Sequence, residues 1–573
     1  MFMRLSRLAI ENFRGIASLS LELAETTVLI GENNTGKTST LEALHTCMSR
    51  GLTRRANPFS EYDFHLATDD SEPSTAPPIT ITLTFEESAE DEWPVEIDQA
   101  FNNAVQLLDD GRKQLTFRVA SRYDAATRDF AVEWTFLDKE GSSLPTARQP
   151  KLVTDLQSLA PVFFLGAVRD AAHHFHAKSP FWSPFTKNPQ IDDDTREEIE
   201  SQIETLNQAI LDGHTPFDTI KTGIAKTGSL LPLAAQDLVS IEAVPARIFD
   251  MLAKTQVKLA CRTGARLPIT QHGAGTQSLS ILFLFESFLQ SRLAEAYDEH
   301  SEPILALEEP EAHLHPSAIR SLWDTLSNLA GQKIIATHSG DLLAAVPLKA
   351  IRRLARRNGQ VCAHRVLDTT LNRREEEKVR YHIREKRGAL MFARCWLLVE
   401  GETDFTVLPE LGLLLGYDFD LCGVSCVEFS QCGLEPLIKV ARDLGIEWHV
   451  LADGDAAGNK YVATATQFLE ADPSPDRITQ TTQRDIEHSF WHAGHSQVYE
   501  ANTGANQRRD IVKVASGHAD YPGQVIKAAI KTHSKPFMAY EAIAAVQAAG
   551  VATVPADLRA AIEKAIELAG RCQ

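Results

Sequence analysis

Two sets of residues in this 573-residue chain have types and spacings suited to chemistry on phosphates. The first is Gly31-Glu32-Asn33-Asn34-Thr35-Gly36-Lys37-Thr38, which fits G-x-x-x-x-G-K-[ST] between an apolar run and a segment of helical spacing. Gly31 and Gly36 let backbone N–H groups curl around phosphate oxygens, Lys37 reaches the β and γ oxygens, and the Thr38 hydroxyl can ligate Mg²⁺. Asn33, Asn34 and Thr40 fill out the expected nucleotide contacts. A phosphate loop needs a second, acidic strand, and Ile304 to Leu307 running into Glu308 and Glu309 supplies one. Glu308 is expected to hold the metal and Glu309 to activate the attacking water. His338 ends the next apolar run, where an imidazole can sense a γ-phosphate. Upstream, Gln271 to Gln277 opens a helix, and its Gly273, Gly275 and Gln277 are candidates for contact with a nucleotide.

The second set is acidic. Glu400 follows Trp396 to Val399, and Asp453-Gly454-Asp455 follows the run Trp448 to Ala452, 53 residues after Glu400. Each acidic group thus ends an apolar strand, and the carboxyl ends of parallel strands are where such sheets carry ligands. Within Asp-x-Asp the two-residue period aims both carboxylates to one side, and Gly454 is expected to let a metal approach closely. Carboxylates converging in this way repel unless a divalent cation sits among them, and hard oxygen donors suit Mg²⁺ or Mn²⁺.

The elements that must position these residues alternate strand and helix. LSRLAIENFRG and LSLELAETTVLIG read as strands, PPITITLTFEE, QLTFRVASRYD and FAVEWTFLD as further strands, and residues 171–260 as mainly helical, with TREEIESQIETLNQAIL clearly amphipathic. Strand–helix alternation returns around Glu308 and again from Ala393. An α/β fold in several units follows: 1–170, a helical insertion at 171–260, 261–390 ending in a charged bridge, and 391–573. Composition agrees, with 43% hydrophobic and 23% charged residues, values of a globular chain rather than a disordered or fibrous one.

No apolar run approaches the ~20 residues of a membrane span. Arg4 and Arg7 stand where a signal peptide would be apolar, so a cytoplasmic location without membrane is expected. The net charge of −20 argues against non-specific coating of nucleic acid and leaves only local charge to form a groove. Cys422, Cys426, Cys432 and His449 are better read as reduced thiols and a strand histidine than as a zinc site.

The phosphate loop, Glu308-Glu309, His338 and the glycine-rich Gly273–Gln277 stretch together resemble the ATP-binding-cassette (ABC) heads of the SMC and RecF type. That resemblance implies ATP as cofactor, ATPase activity and a homodimer or higher homo-oligomer in which one protomer's signature caps the other's nucleotide. Two departures stand out: Glu308 replaces the usual aspartate, and no Leu-Ser-Gly-Gly is present. Glu400 with Asp453-Gly454-Asp455 resembles the Toprim domain, a Rossmann-like α/β unit. By position that resemblance adds Asp404 and Glu487 as acidic ligands and Lys535 as the late lysine facing a charged transition state. Head followed by Toprim resembles the OLD (overcoming lysogenization defect) family.

The family resemblance implies an ATP-regulated DNA endonuclease or nickase that uses two Mg²⁺ or Mn²⁺ ions held by Glu400, Asp404, Asp453, Asp455 and Glu487, in phage defence or DNA processing. A helicase or reverse-transcriptase partner accompanies some members. It also implies that the 171–260 insertion is a dimerisation element. The competing reading is an ATP-switched DNA clamp whose Toprim unit is a platform only. DNA is expected along the bridge, on Arg352, Arg353, Arg356, Arg357, Arg373, Arg374, Lys378, Arg380, Arg384, Lys386 and Arg387.

Overall fold

The computed structural model describes residues 3–571 except 50–51, 53–57, 67, 69–70, 145–149, 168–170, 176–178, 188–190, 215, 226–241, 246–250, 253, 261–263, 386–387 and 470–472. Three main sheets carry the chemistry. The first is antiparallel and is made of β1 (Arg4–Phe13), β2 (Ile16–Glu22), β4 (Ile79–Glu86), β5 (Val105–Leu107), β6 (Lys113–Asp124) and β7 (Asp129–Leu137). Its alternation is plain in β4, where Ile79, Ile81, Leu83 and Phe85 are buried and the threonines between them are half-buried.

The second sheet runs in the order β14-β13-β3-β12-β11-β8. Here β3 is Thr26–Ile30, β8 Val162–Leu165, β11 Ile304–Glu308, β12 Gln332–Ala336, β13 Ile351–Arg357 and β14 Gln360–His364. All neighbours are parallel except the edge strand β14. A sheet covered on both faces needs continuous apolar runs, and β3, β11 and β12 have them at Val28–Ile30, Ile304–Leu307 and Ile334–Ala336. Leu29, Ile304 and Ala306 face the core under the helix Lys37–Met48, while Val28, Ile30, Leu305 and Leu307 face the core under the helix Ala274–Ser291. These two sheets form the head expected from sequence.

The third sheet is fully parallel, in the order β16-β15-β17-β18, with β15 Cys395–Val399, β16 Val424–Glu428, β17 Glu447–Ala452 and β18 Ile478–Gln480. The chain leaves β15 for β16 on one side and later inserts β17 on the other, so the strand order switches between β15 and β17. A crevice at such a switch point is a standard ligand site.

Two expectations need revision. The bridge is not a linker between separate bodies: Val379 and Ile383 of the helix Arg373–Glu385 enter a single core that also holds Leu322 of the head and Trp396, Leu398 and Trp448 of the third sheet. Arg352, Arg353 and Arg356 are not part of a free DNA track either. Arg352 and Arg353 are buried, and Arg353 donates to the carbonyls of Leu444 and Gly445 at 3.1 Å each and of Ala393 at 2.9 Å. Arg356 donates to Gly15 and Asn34 carbonyls, bracing the phosphate loop. Polar groups in a low-dielectric seam need partners, and these arginines supply them. Arg373, Arg374, Lys378, Arg380 and Arg384 lie on the helix Arg373–Glu385; Lys386 and Arg387 lie outside the described residues.

In the insertion the described elements are mostly helices, the longest Asp193–Gly213, and 226–241 and 246–250 lie outside the described residues. No helix among the described residues is long and apolar enough to cross a membrane.

Candidate nucleotide site and acidic centre

The phosphate loop leaves β3 at Gly31 with φ 149° and enters its helix through Gly36 at φ 93°, a left-handed conformation that glycine adopts without strain. A Cβ on Gly31 would stand 2.2 Å from the Leu354 carbonyl oxygen, so the position admits only glycine. The buried Lys37 ammonium donates to the Gly31 and Glu32 carbonyls at 2.8 and 2.7 Å. Burial brings its pKa down to about 8, against the opposing pull of Glu309, Glu32 and Glu308.

The Thr38 hydroxyl donates to Glu308 at the end of β11, which joins the two metal-binding candidates of the head. Glu309 sits at φ 42°, and its carboxylate lies 4.0 Å from His338 Nε2. His338 has a depressed pKa, from burial first and then Lys37, so its ring is neutral at pH 7. Thr40, expected to touch nucleotide, is instead fully buried and donates to the Gly36 carbonyl. Asn33 and Asn34 lie at the exposed tip of the loop.

Gly273 caps the helix Ala274–Ser291, and Gly275 packs so closely on the loop after Glu309 that a Cβ would meet the His313 carbonyl oxygen at 2.6 Å. Gln277 donates to the His272 carbonyl at 2.7 Å. Within this protomer, no described hydrogen bond joins this stretch to the phosphate loop.

At the switch point of the third sheet, Glu400 follows β15, Asp404 lies in the first turn of the helix Glu402–Leu414, Asp453 follows β17, and Asp455 caps the helix Ala456–Thr466. The Asp455 carboxylate accepts from the N–H groups of Ala457 and Gly458, both at 2.8 Å, so a helix N-terminus sets its orientation. The carboxylates perturb one another. Burial raises the Glu400 pKa and Asp455 adds to it. Burial lifts Asp404 to about 6, with Glu487 contributing. Burial lifts Asp453 to about 8, reinforced by Asp404, Glu400, Asp485 and Glu487.

Glu487 is buried on the helix Ile486–Phe490, and its pKa is raised by burial against the pull of Lys535, whose ammonium stands 3.1 Å away. Lys535 begins the helix Lys535–Ala549. The structure therefore brings Glu400, Asp404, Asp453, Asp455, Glu487 and Lys535 to one place.

Among the described residues no three His, Cys, Asp or Glu side chains are drawn together tightly enough to hold an ion. Mutual repulsion among carboxylates with one lysine between them accounts for that spread. The donor set nonetheless fits a hard divalent cation: oxygens only, surplus negative charge, and acids whose pKa values burial and mutual repulsion raise. The zinc alternative has no support, since His449 is buried and bonded to the Asp476 carbonyl and the Thr479 hydroxyl.

Two features escaped the sequence reading. Asp485 belongs to the electrostatic cluster and is bonded to His488 Nδ1 at 2.5 Å; its neighbour Glu487 was the residue singled out. Gly454 is required for a different reason than metal approach: a Cβ there would stand 2.2 Å from the Gln483 and 2.6 Å from the Thr481 carbonyl oxygen. D-G-D followed by Gly458, whose Cβ would meet the Asp453 carbonyl at 1.8 Å, is the signal that carried this close packing. A further link joins the two sites: Arg394, immediately before β15, pairs with Glu32 of the phosphate loop at 2.9 Å.

An ABC-type head fused to a parallel, acid-tipped Toprim sheet places the protein in the OLD class. The model described as "Overcoming lysogenization defect protein-like, TOPRIM domain" matches residues 391–455. The chain belongs to the family described as "Protein of unknown function (DUF2813)", whose model matches residues 3–389. It is 31% identical to the uncharacterized protein YbjD of Escherichia coli K12, over 99% of each chain. It is 26% identical to the OLD nuclease of Thermus scotoductus, over 79% of this chain and 82% of the relative. Among solved structures, the C-terminal region of the Burkholderia pseudomallei OLD protein is 21% identical, covering 31% of this chain and 99% of that one, with a TM-score of 0.26.

Proposed function

We propose that this chain is a divalent-metal-dependent DNA endonuclease or nickase whose access to DNA is governed by ATP in the head, acting in phage defence or DNA processing as a homo-oligomer. The observation that carries the reading is the convergence of Glu400, Asp404, Asp453, Asp455 and Glu487, with Lys535, at the switch point of a parallel sheet. Relatives named as nucleases add support.

Glu400, Asp404, Asp453, Asp455 and Glu487 would hold Mg²⁺ or Mn²⁺, two ions in all. Such ions, when bound, turn water into a nucleophile and relieve charge on the leaving oxygen. The chain's own residues do the rest. The helix N-terminus after Asp455 fixes one carboxylate, and the close packing of Gly454 and Gly458 fixes the turn between the two aspartates. Lys535, with about half its side chain exposed at 53%, can turn from Glu487 to a non-bridging phosphate oxygen and hold its developing charge.

In the head, Lys37 would exchange the Gly31 and Glu32 carbonyls for nucleotide oxygens, Thr38 and Glu308 would hold Mg²⁺, and Glu309 with His338 would orient water at the γ-phosphate. The Arg394–Glu32 pair gives the head a direct handle on β15, the strand that ends in Glu400. Supercoiled plasmid incubated with Mg²⁺, Mn²⁺ or EDTA tests the proposal. Nicked or linear product in the metal lanes alone is expected, and product of equal yield in EDTA would overturn it.

A further inference from the structure

We propose that a cleft running outward from the acidic centre binds the phosphodiester backbone of the DNA strand being cut, through Arg484, Lys527 and Lys531. The inference rests on the nuclease reading and adds where the substrate lies.

The cleft has a volume of about 760 Å³ between the segment Arg484 to His492 and the helix Tyr521–Thr532. Asp485 lines the cleft and caps the helix Ile486–Phe490 that carries Glu487, so the cleft borders the acidic centre; Asp485 is also one of the acids that raises the Asp453 pKa. Lys527 and Lys531 are exposed and one helical turn apart, so their Cβ atoms share one face at a spacing of roughly 6 Å. Neither has an ion-pair partner among the described residues. Arg484 opposes them from the other wall; its side chain is 74% exposed, and its contact with Asp485 is long, at 4.0 Å.

The Asp485 carboxylate already takes the Nδ1–H and the backbone N–H of His488, so it draws less on Arg484. Against the chain's net charge of −20, the cleft's three cations outnumber its two acids, Asp485 and Asp520, a local surplus of positive charge beside a metal-type site.

The lining also says what kind of contact is made. No Phe, Tyr or Trp lines the cleft, whose only rings are the imidazoles of His488 and His492, while its long flexible cations suit phosphate oxygens. Contacts of that sort set register and orientation without reading sequence. Arg352, Arg353 and Arg356 of the bridge do not compete for this role, since they are committed to carbonyl groups inside the protein.

The test uses the full chain with Lys527→Ala/Lys531→Ala, and Lys527→Arg/Lys531→Arg as the charge-preserving control. Binding of labelled single-stranded and duplex DNA is followed by anisotropy from 50 to 300 mM KCl with EDTA present, alongside plasmid cleavage kinetics with Mg²⁺. Loss of two phosphate contacts should reduce the slope of log K against log[salt] by about 1.4–1.8 and raise KM roughly tenfold, with kcat changed less than about twofold. The arginine pair should restore both.

Wild-type cleavage with an unchanged slope and KM in the alanine pair would overturn the cleft while leaving the nuclease reading intact. A wild-type chain that binds DNA with the cleft's salt slope yet never cuts it would overturn the nuclease reading and keep the cleft as a binding site. A wild-type chain that neither binds nor cuts would overturn both.

Discussion

Arg353 offers the sharpest stability prediction, because this one buried side chain bridges the head and the Toprim unit. It is 2% exposed, and its two terminal nitrogens reach three main-chain carbonyls: Ala393 before β15, and Leu444 and Gly445 before β17. A hydrogen bond from a charged donor contributes ~1.5–3 kcal/mol net. One nitrogen serves Ala393 and the other is shared between Leu444 and Gly445, so two such bonds are the fair count. Arg353→Ala should then cost about 3–6 kcal/mol.

Arg353→Lys should recover less than half, since a single ammonium cannot present the planar fork that spans both strands' roots. Urea unfolding followed by tryptophan fluorescence reads this directly, because Trp396 and Trp448 sit in the core these bonds close over. A midpoint shift equivalent to less than ~1 kcal/mol in Arg353→Ala would show that the apolar seam, not the arginine, joins the units.

Three further outcomes follow from named contacts. His449 is fully buried with its pKa held down near 4, by burial first; unfolding restores about 6.5, so its stabilising effect is complete above pH 6.5 and is lost as pH falls toward 4. Unfolding free energies from urea at pH 7.5 and 4.5 should differ by about 2.5 kcal/mol more in wild type than in His449→Gln, and equal differences would refute it. Gly454→Ala should cut kcat for plasmid cleavage by roughly 100-fold in a chain that still folds, because relieving a 2.2 Å clash displaces Asp453 and Asp455; near-wild-type turnover would refute it. Arg394→Gln should leave ATP affinity within about twofold but erase the effect of ATP on cleavage, by cutting the only described ion pair between the phosphate loop and the root of β15; an unchanged ATP effect would place the coupling elsewhere.

The parts of this protein that were legible in its sequence are those where local pattern and chemistry coincide. β3, β11, β15 and β17 are short strands built on apolar runs, each ending in or followed at once by the residues that act, so strand and site announce each other. Lys535 and Glu487 were reached only through family resemblance, and their 3.1 Å pair depends on two helices 48 residues apart in sequence. What the sequence hid was long-range packing. Arginines of the bridge have the composition of a DNA track, and nothing local reveals that Arg353 is buried under carbonyls from 91 residues away. Thr40 looked like a nucleotide contact because it follows the motif, yet one turn of helix carries it into the core. Asp485 was passed over for Glu487 because only the fold shows that both belong to one cluster.

The central claim, that the acidic centre cuts DNA under control of the head, is tested most directly by incubating supercoiled plasmid with Mg²⁺ or Mn²⁺, with and without ATP, and comparing wild type with Asp455→Asn. The asparagine oxygen can still accept from the Ala457 and Gly458 N–H groups, so the helix cap survives while a negative ligand is lost. The account predicts nicked or linear product from wild type, a yield that changes with ATP, and no product from Asp455→Asn despite unchanged ATP binding. Cleavage retained in Asp455→Asn, or its absence from wild type with either metal, would contradict it.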